Sequence, residues 1–256
     1  MNCKICHTPA NHQFRAKILK NKYEVQYYLC PHCGFLQTEA PFWLTEAYES
    51  PINLSDTGLL RRNVKFAQKT AKIIFYLFNP NQKFLDFAGG YGIFVRLMRD
   101  AGFDFYWDDP YAANLLAKGF EYQGSNGQIA LVTSFECFEH FVNPLDEIEK
   151  ILKMSPNLLF STHLLPVPVP APNQWWYYAL DHGQHISFYS KQTLDFIAQK
   201  FNVNFYTNHR NFHLFTRKKI NPLVFRWLVT DTYLPYWLLM RFMASKTNQD
   251  ARLMQG

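Results

Sequence analysis

The sequence lacks any long uninterrupted apolar run. Its most apolar stretch, near the end, is broken by Arg226, Asp231 and Arg241, whereas a membrane-spanning helix needs about 20 consecutive apolar residues. The opening residues, MNCKICHTPA, contain no apolar segment of the kind found in secretory signal peptides. We therefore expect neither a membrane-spanning helix nor secretion, and we expect the protein in the cytoplasm.

The sequence is also poor in concentrated charge. Charged residues make up 18% of the 256 residues, no more than the aromatic residues, which also make up 18%. This composition excludes a disordered chain and predicts a globular protein with a large aromatic core. The net charge of +6 would suit nucleic acid or an anionic membrane if it were focused, but no arginine-rich tract or known nucleic-acid-binding motif is present.

The basic residues gather on two short segments. They are Arg61, Arg62, Lys65, Lys69 and Lys72, and Arg210, Arg217, Lys218 and Lys219. We interpret both groups as solvated faces of the protein in preference to a nucleic-acid footprint.

Cysteine is scarce, but four of the five cysteines are arranged in pairs. Cys3 and Cys6 form one C-x-x-C pair, and Cys30 and Cys33 form a second, within CKIC and CPHCG. Two such pairs are typical of a zinc ribbon, because four thiolates complete the tetrahedral shell that Zn²⁺ prefers. A complete sulfur shell leaves no position for water or substrate, so we predict a structural zinc ion. Cys137 stands alone, and we interpret it as a small buried residue.

The pattern of apolar residues divides the chain into four parts. We predict a zinc ribbon over residues 1–40, a linker and packing helix over 41–80, an α/β domain over 81–217 and an aromatic-rich helical extension over 218–256. The packing helix is predicted over 59–78, because apolar residues recur there at helical spacing. We expect the extension to pack on the α/β domain or on a second subunit, and a helix lying on a membrane surface is the alternative.

Short apolar strands alternate with helices in the α/β domain. Strands are predicted at 83–87, 103–107, 129–134 and 157–162, and helices near 91–100, 111–118 and 143–153. This alternation is typical of a doubly wound, mostly parallel, Rossmann-like sheet with helices on both faces. In such sheets, ligands bind at the carboxyl ends of the strands. Ser190 is predicted to cap a further helix that begins after it.

The turn after the first of these strands lies in the sequence FLDFAGGYGIF. A dinucleotide fingerprint, G-x-G-x-x-G, fails because Val95 stands where the third glycine is needed. The run instead fits acid-x-small-x-Gly-x-Gly, with Asp86, Ala88, Gly90 and Gly92. It resembles the first motif of the class I S-adenosylmethionine-dependent methyltransferases, although that family more often has glycine in place of Ala88. The resemblance implies that Asp86 contacts the amino-acid part of the cofactor and that the glycines let the backbone approach it.

Two later stretches extend the resemblance, which covers about residues 55–217. FDFYWDDPYAANL places Asp109, or the neighbouring Asp108, where the family has an acid that bonds both ribose hydroxyls. Asp109 also precedes Pro110, which suits the N-cap of a helix. LVTSFECFEHFVNPLDEIEKILK resembles the family's fourth strand and the helix after it, and this likeness implies that Glu136 is a cofactor-binding residue.

The stretch STHLLPVPVPAPNQWWYYALDHGQHISFYSKQTL follows the strand predicted at 157–162, which stands for the fifth strand of the family, where the resemblance implies loops that cover the acceptor. Its prolines predict a stiff extended segment, and the aromatic residues 175–178 are expected to form a lid that excludes water. Histidines cluster beside this lid, and a histidine with a pKa near 6.5 can accept a proton at neutral pH. Our order of candidates for the general base is His182, His185 and His140, with His163 fourth.

The predicted function is methyl transfer from S-adenosylmethionine to a hydroxyl or carbon of a small-molecule acceptor. The zinc ribbon, the aromatic residues and the layout look like bacterial methyltransferases of sugar and polysaccharide biosynthesis. Nucleotide-linked or lipid-linked sugars are therefore the first acceptor class. An RNA methyltransferase that uses the ribbon as a substrate platform is one alternative. A catalytically silent protein that keeps the fold to bind a partner is another, and the oligomeric state is left open.

Overall fold

The computed structural model describes residues 1–49, 56–231 and 233–255, without the side chains of 233–235. Part of the predicted linker, residues 50–55, lies outside the described residues. The strands are β1 (Asn11–Ile18), β2 (Tyr23–Leu29), β3 (Leu36–Thr38), β4 (Lys83–Phe87), β5 (Asp104–Asp108), β6 (Ile129–Phe135), β7 (Leu158–Ser161), β8 (Ser187–Phe188), β9 (Asn204–Thr207) and β10 (Phe212–Thr216). The helices are α1 (Leu44–Ala47), α2 (Leu59–Leu77), α3 (Ile93–Asp100), α4 (Pro144–Met154), α5 (Lys191–Lys200), α6 (Pro222–Leu228), α7 (Tyr233–Met240) and α8 (Thr247–Gln255).

The larger sheet has the strand order β5-β4-β6-β7-β10-β9. It is parallel from β5 to β7, and β10 runs antiparallel to both of its neighbours. The predicted α/β fold with a mostly parallel central sheet is confirmed. The chain runs from β4 outward to β5 and then returns to β6 on the other side of β4, so the strand order reverses there. In doubly wound sheets, ligands bind outside the carboxyl ends of the strands at such a reversal.

Neighbouring residues of the central strands point to opposite faces of this sheet. Leu85 and Val132 pack toward α4 and α5, whereas Phe84 and Leu131 pack toward α2, α3 and α6. All four side chains are fully buried. Helices therefore cover both faces, which is why the central strands are nearly continuous apolar runs without alternation.

Local sequence signals fix where two of the helices begin. Pro144 occupies the first turn of α4, where its missing N–H costs nothing, and two acids in the same turn complement the helix dipole. Ser190 caps α5, as predicted. Thr193 completes a capping box, because each of the two side chains bonds the backbone N–H of the other residue.

The helix predicted near 111–118 is wrong, because this segment forms turns. Asp109 Oδ1 accepts hydrogen bonds from the backbone N–H groups of Tyr111 (2.8 Å) and Ala112 (3.0 Å). Asn114 accepts another from the N–H group three residues after it. Side chains that bond the nearby backbone compete with the helical hydrogen bonds, so the segment is held in successive turns. Asp109 therefore caps a turn and not a helix.

The smaller sheet is antiparallel, with the order β1-β2-β3-β8. Residues 187–188 thus complete the sheet of the N-terminal part of the chain, although they lie far away in sequence. Tyr177 and Tyr178 are 1% and 0% exposed and pack in the core of this sheet, so they do not form the predicted lid. Because β8 pairs with β3, the segment just before it is drawn into that core. Trp176, at 71% exposure, is the aromatic residue of this group that faces solvent.

The C-terminal extension is helical, as predicted, and packs on the larger sheet. Phe225 of α6 is fully buried in the same apolar cluster as α2. Lys72 of α2 is 1% exposed, and its Nζ donates to the carbonyl oxygen of Thr230 at 2.7 Å. Lys69 lies 3.0 Å from a carboxylate oxygen of Asp231. The predicted solvated basic face is therefore wrong for these two lysines, because the extension covers them.

The last helix, α8, is joined to α3 by a buried ion pair. Asp250 is 3% exposed, and its two carboxylate oxygens each accept from Arg99 at 2.8 Å. The Arg99 guanidinium also lies 3.6 Å from the centre of the Phe120 ring. The helix α8 thereby covers the turns that stand in place of the predicted helix after β5. Over the described ranges, no helix has the length and apolar character needed to cross a bilayer.

Candidate active site

The glycine turn lies between β4 and α3, at the carboxyl end of β4. Ala88, Gly90 and Gly92 have positive φ angles of 58°, 54° and 82°. This conformation is open to glycine but costly for alanine. A Cβ placed on Gly90 would meet no atom within 4 Å, whereas one on Gly92 would lie 2.8 Å from the Cβ of Ala117. The turn is therefore tightly packed at Gly92 and open at Gly90.

Two residues at the end of β5 hold the backbone of Gly90. The indole Nε1 of Trp107 donates to the Gly90 carbonyl oxygen at 2.8 Å, and Asp109 Oδ2 accepts from the Gly90 N–H at 2.9 Å. With the two bonds to the turn after β5, Asp109 accepts three hydrogen bonds from described residues. A carboxylate offers about four lone-pair positions. Asp109 can therefore accept one further hydroxyl beside Gly90.

Asp108, the alternative to Asp109, ends β5 and contacts the glycine turn through its backbone. Its carbonyl oxygen accepts from the N–H groups of Ala88 (2.8 Å) and Gly89 (3.4 Å). Burial raises the pKa of the Asp108 carboxyl, and the ammonium of Lys150 on α4 offsets part of that effect. Asp109 is thus the acid whose carboxylate is bonded to the open part of the turn.

Asp86 lies behind the turn, within the sheet. It is 3% exposed, and its Oδ1 accepts from the Thr133 hydroxyl at 2.6 Å. Burial, and to a smaller extent the charge of Asp109, raises the pKa of Asp86 to about 7. The carboxyl group can therefore act as a donor or as an acceptor near neutral pH.

Glu136 stands directly after β6 with a positive φ of 52°. Ser161, at the end of β7, accepts from the Glu136 N–H at 2.8 Å and donates to Glu136 Oε1 at 2.5 Å. Burial, followed by the charge of Glu139, raises the pKa of Glu136 to about 7. Asp86, Asp109 and Glu136 therefore stand at the carboxyl ends of three adjacent strands, the edge where the sequence predicts ligand binding.

His140 and His185 meet beside this edge, with ring centres 4.9 Å apart. His140 Nδ1 lies 3.2 Å from the Gln184 carbonyl oxygen and 2.9 Å from the Tyr48 hydroxyl, and His185 Nδ1 lies 2.7 Å from the Tyr177 carbonyl oxygen. A carbonyl only accepts, so His185 Nδ1 carries the proton and its Nε2 keeps the lone pair. At His140 the Tyr48 hydroxyl can donate or accept, so Nδ1 carries the proton when it bonds the Gln184 carbonyl and not when the hydroxyl donates to it. Burial lowers the pKa of His140 to about 4 and that of His185 to about 3, so both rings are neutral at pH 7.

The other two candidate histidines lie outside this pair. His182 is partly exposed on the turn after Ala179, to whose carbonyl oxygen its N–H donates at 3.0 Å. His163 packs against Trp176 and Tyr177, with ring centres 5.0 and 4.6 Å away. Burial lowers the pKa of His163 to about 4. The structure thus brings the rings of His185 and His140 into contact, and it places His182, the first candidate from the sequence, near enough for its charge to lower the pKa of His185.

Glu139 is a member of this group that the sequence analysis missed. It is fully buried, and neither carboxylate oxygen has a hydrogen-bond partner among the described residues. One carboxylate oxygen and one ring nitrogen from each of His140 and His185 all lie within 4.8 Å of one another. The sequence shows the spacing Glu-x-x-Glu-His at residues 136–140. His185 comes from a distant loop, so this spacing could not predict that His185 lies beside Glu139 and His140.

The four paired cysteines also converge. The sulfur of Cys3 lies 3.5 Å from that of Cys33, the sulfur of Cys6 lies 3.4 Å from that of Cys30, and all four lie within 4.8 Å of one another. Two backbone N–H groups, one in each C-x-x-C pair, point at sulfur atoms at 3.4 Å. The contact with the Cys33 sulfur lowers the pKa of the Cys3 thiol, which favours its thiolate form. The donors, their spacing and the N–H···S bonds fit a tetrahedral thiolate site for zinc. Cys137 is buried, as predicted.

A family model matches most of the region just described. The model for the methyltransferase domain matches residues 59–207, more than half of the chain. The chain belongs to the methyltransferase domain family. The matched region includes the glycine turn, Asp109, Glu136 and both histidines of the pair, so the site described above lies within the family's domain. None of the curated proteins compared with the chain matches it.

Solved structures resemble this chain at low sequence identity. The plantazolicin methyltransferase BpumL, solved with a monoazolic desmethylPZN analogue and SAH, is 11% identical, with a TM-score of 0.52; the match covers 79% of this chain and 88% of that one. TnmH is 13% identical (TM-score 0.49), and an O-methyltransferase family protein from Burkholderia thailandensis is 12% identical (TM-score 0.48). These matches cover 70% and 72% of this chain, and only 62% and 65% of the other two.

Proposed function

We propose that the protein transfers a methyl group from S-adenosylmethionine to a hydroxyl or carbon of a small-molecule acceptor. The observation that supports this most directly is the turn at Gly90, which is open on one side and bonded to the Asp109 carboxylate. A Cβ at Gly90 would occupy that open side, so the turn fits a ligand that approaches the backbone closely. Membership of the methyltransferase domain family is the second support.

Three acids and the glycine turn would hold the cofactor. Asp109 would accept from a ribose hydroxyl with its remaining lone pair, and Asp86, which can donate or accept near pH 7, suits the amino-acid part. Glu136 stands at the end of the neighbouring strand, and Ala88, Gly90 and Gly92 supply the turn. Trp107, which the sequence analysis did not single out, fixes the peptide group of Gly90.

The bound cofactor supplies a methyl group already activated by its positively charged sulfur. The protein must then hold the acceptor atom in line with that methyl group at about 3 to 3.5 Å and accept its proton. His185 fits the second task best by geometry, because its Nδ1–H is fixed by the Tyr177 carbonyl and its other nitrogen has a lone pair, although burial lowers its pKa to about 3 and makes it a weaker base than a free histidine. His140 faces it, and His182, whose charge acts on His185, is the remaining candidate.

A small molecule suits the described surface better than RNA does. Lys69 is paired with Asp231 and Lys72 is buried against Thr230, so part of the basic stripe on α2 is used within the protein. A nucleotide-linked or lipid-linked sugar is the acceptor class to screen first, because the ribbon and domain layout resemble methyltransferases of sugar biosynthesis. The Cys3, Cys6, Cys30 and Cys33 site would hold a structural zinc ion that fastens the ribbon.

The first test is calorimetric titration of S-adenosylmethionine and S-adenosylhomocysteine into zinc-replete protein. Micromolar binding is expected, and it should weaken in Asp109→Ala but not in Asp108→Ala, whose carboxylate is not bonded to the turn. Methyl transfer to nucleotide sugars would then be assayed with radiolabelled cofactor. Absence of binding to both ligands would refute the proposed function, whereas binding without transfer to any sugar would refute only the acceptor class.

A further inference from the structure

We infer that Glu139, His140 and His185 form a binding site for a divalent transition-metal ion, separate from the four-cysteine site. The three residues offer one carboxylate oxygen and two imidazole nitrogens within 4.8 Å of one another. Two histidines and one carboxylate are a donor set that binds Zn²⁺ or Fe²⁺ and leaves other coordination positions open. This inference concerns ion binding itself and does not depend on the proposed methyl transfer.

The carboxylate of Glu139 is the strongest evidence for an ion. The side chain is fully buried, and neither carboxylate oxygen has a hydrogen bond of good geometry among the described residues. The hydroxyls of Thr162 and Tyr177 lie close enough to interact with the carboxylate, but they are 3.2 Å from each other and neither is well aligned with a carboxylate oxygen. A buried carboxylate without a partner is costly, and native proteins seldom retain one. A cation between Glu139 and the two histidines would remove that cost.

The histidines are already arranged as metal ligands usually are. A metal-binding histidine commonly donates its other ring N–H to a backbone carbonyl, which fixes the ring and directs the remaining lone pair at the ion. His185 does so through Tyr177 O at 2.7 Å and His140 through Gln184 O at 3.2 Å. The Nε2 lone pair of His185 is therefore available without any change of tautomer, and that of His140 is available when its Nδ1 donates to the Gln184 carbonyl.

The donors are spaced more widely than in a bound site. Neighbouring ligands of a tetrahedral ion, each at about 2.1 Å, are about 3.4 Å apart. The three donors lie within 4.8 Å of one another, so an ion would draw the most widely separated pair together by up to about 1.4 Å. A bound ion would place its open positions at the edge of the sheet beside Glu136. It would also bind the ring nitrogens that were proposed above as general bases. A separate base would then be less necessary, because a hydroxyl bound to a metal ion loses its proton more readily than a free hydroxyl does.

The test is a Co²⁺ titration of protein whose cysteine site is already filled with zinc. We expect one further equivalent to bind, with weak visible d–d absorption and without sulfur-to-cobalt charge transfer. Glu139→Gln and His185→Ala should each lower the Co²⁺ affinity at least tenfold. His163→Ala, which changes a neighbouring histidine outside the group, should leave it unchanged. Sulfur charge-transfer bands, no additional equivalent, or equal binding by all variants would overturn the inference.

Thermal unfolding of the metal-free Glu139→Gln variant separates this role from a purely structural one. The substitution removes an unpartnered buried carboxyl group and keeps its shape, so the melting temperature should stay the same or rise. A melting temperature several degrees lower would show that the carboxylate stabilises the fold through the protein alone, and the metal assignment would be withdrawn. Neither measurement uses S-adenosylmethionine, so failure here leaves the cofactor titration as an independent result.

Discussion

The two halves of the candidate site are held together in different ways. At the ends of β4 and β5, backbone groups and one carboxylate bond directly to each other, as in the contacts of Gly90 with Trp107 and Asp109. At the ends of β6 and β7, buried side chains converge from separate segments, and Glu139 has no described hydrogen-bond partner. The first half has its polar groups largely satisfied, whereas the second is completed only by something that binds there.

The difference assigns the two halves distinct tasks. A turn whose backbone polar groups are all hydrogen-bonded is rigid, so it can bind the same ligand in the same way on every turnover. A buried carboxyl group beside neutral imidazoles raises the free energy of the folded protein, and a bound ion or acceptor would lower it by bonding to the carboxyl group. Substitutions in the first half should therefore change cofactor binding and stability, and substitutions in the second half should change turnover.

The largest effect is expected for His185→Ala. Whether His185 accepts a proton or binds an ion, its loss should lower kcat about 10²- to 10⁴-fold. S-adenosylmethionine affinity should stay unchanged, because His185 is not bonded to the glycine turn. The measurement is kcat by radiolabelled methyl transfer, with affinity by calorimetry, and His12→Ala on the exposed strand β1 is the control. An equal loss of affinity and turnover would mean that the halves are not separate.

The second effect is expected for Asp109→Ala on cofactor affinity. A charge-assisted hydrogen bond contributes about 1.5 to 3 kcal/mol, so the affinity should fall about 10- to 100-fold. Part of the loss comes from Gly90, whose N–H would lose its acceptor. Asp109→Asn keeps one acceptor oxygen and should recover part of the affinity. If Asp109→Ala binds as tightly as the parent protein while Asp108→Ala does not, the roles of the two acids are exchanged.

The arrangement at the ends of β4 and β5 was largely predictable from the sequence, and the arrangement at the ends of β6 and β7 was not. Asp86, Gly90 and Asp109 lie within short runs at strand ends, so local spacing together with the parallel sheet brings them to one edge. Glu139 and His185 meet only because β8 pairs with β3 and carries the preceding loop across. That pairing has no local signal in the sequence.

The same limit explains two wrong predictions. Tyr177 was expected in a lid because aromatic residues beside a binding edge often cover it, but the pairing of β8 buries the tyrosine in the core of the smaller sheet. The helix near 111–118 was expected from alternation alone. Asp109 and Asn114 bond the local backbone there, and α8, from the far end of the chain, supplies the covering helix.

The third effect is a pH-dependent gain of stability in Asp86→Asn. The folded pKa of about 7 lies above the ordinary value of 3.8, so folding disfavours the charged carboxylate. The penalty is small near pH 4, grows between pH 4 and 7, and is complete above pH 7. The stability of the variant relative to the parent should therefore rise by about 3 kcal/mol between pH 4.5 and pH 8, whatever constant amount the weakened Thr133 bond costs.

Urea unfolding at the two pH values measures this difference. Thr133→Val is the companion variant, because it removes the hydroxyl that donates to Asp86 and should widen the pH dependence. A stability difference of the same size at both pH values would show that the pKa of Asp86 is the same in the folded and the unfolded protein. Asp86→Asn should also weaken cofactor binding. A variant that is more stable but binds the cofactor less tightly would show that Asp86 lowers the stability of the fold and is kept for cofactor binding.

The smallest effect is expected for Ala88→Gly. Alanine at a φ of 58° is strained by about 1 kcal/mol, and glycine removes the strain but loses more chain entropy on folding, so the net gain should be below about 1 kcal/mol. Ala179→Gly is the matched control, since Ala179 has a φ of 48° on the acceptor side. Both variants should gain similar stability in urea unfolding. Only Ala88→Gly should alter cofactor affinity, because only Ala88 belongs to the glycine turn. If Ala88→Gly and Ala179→Gly changed cofactor affinity equally, the backbone of the two halves would not differ in its role.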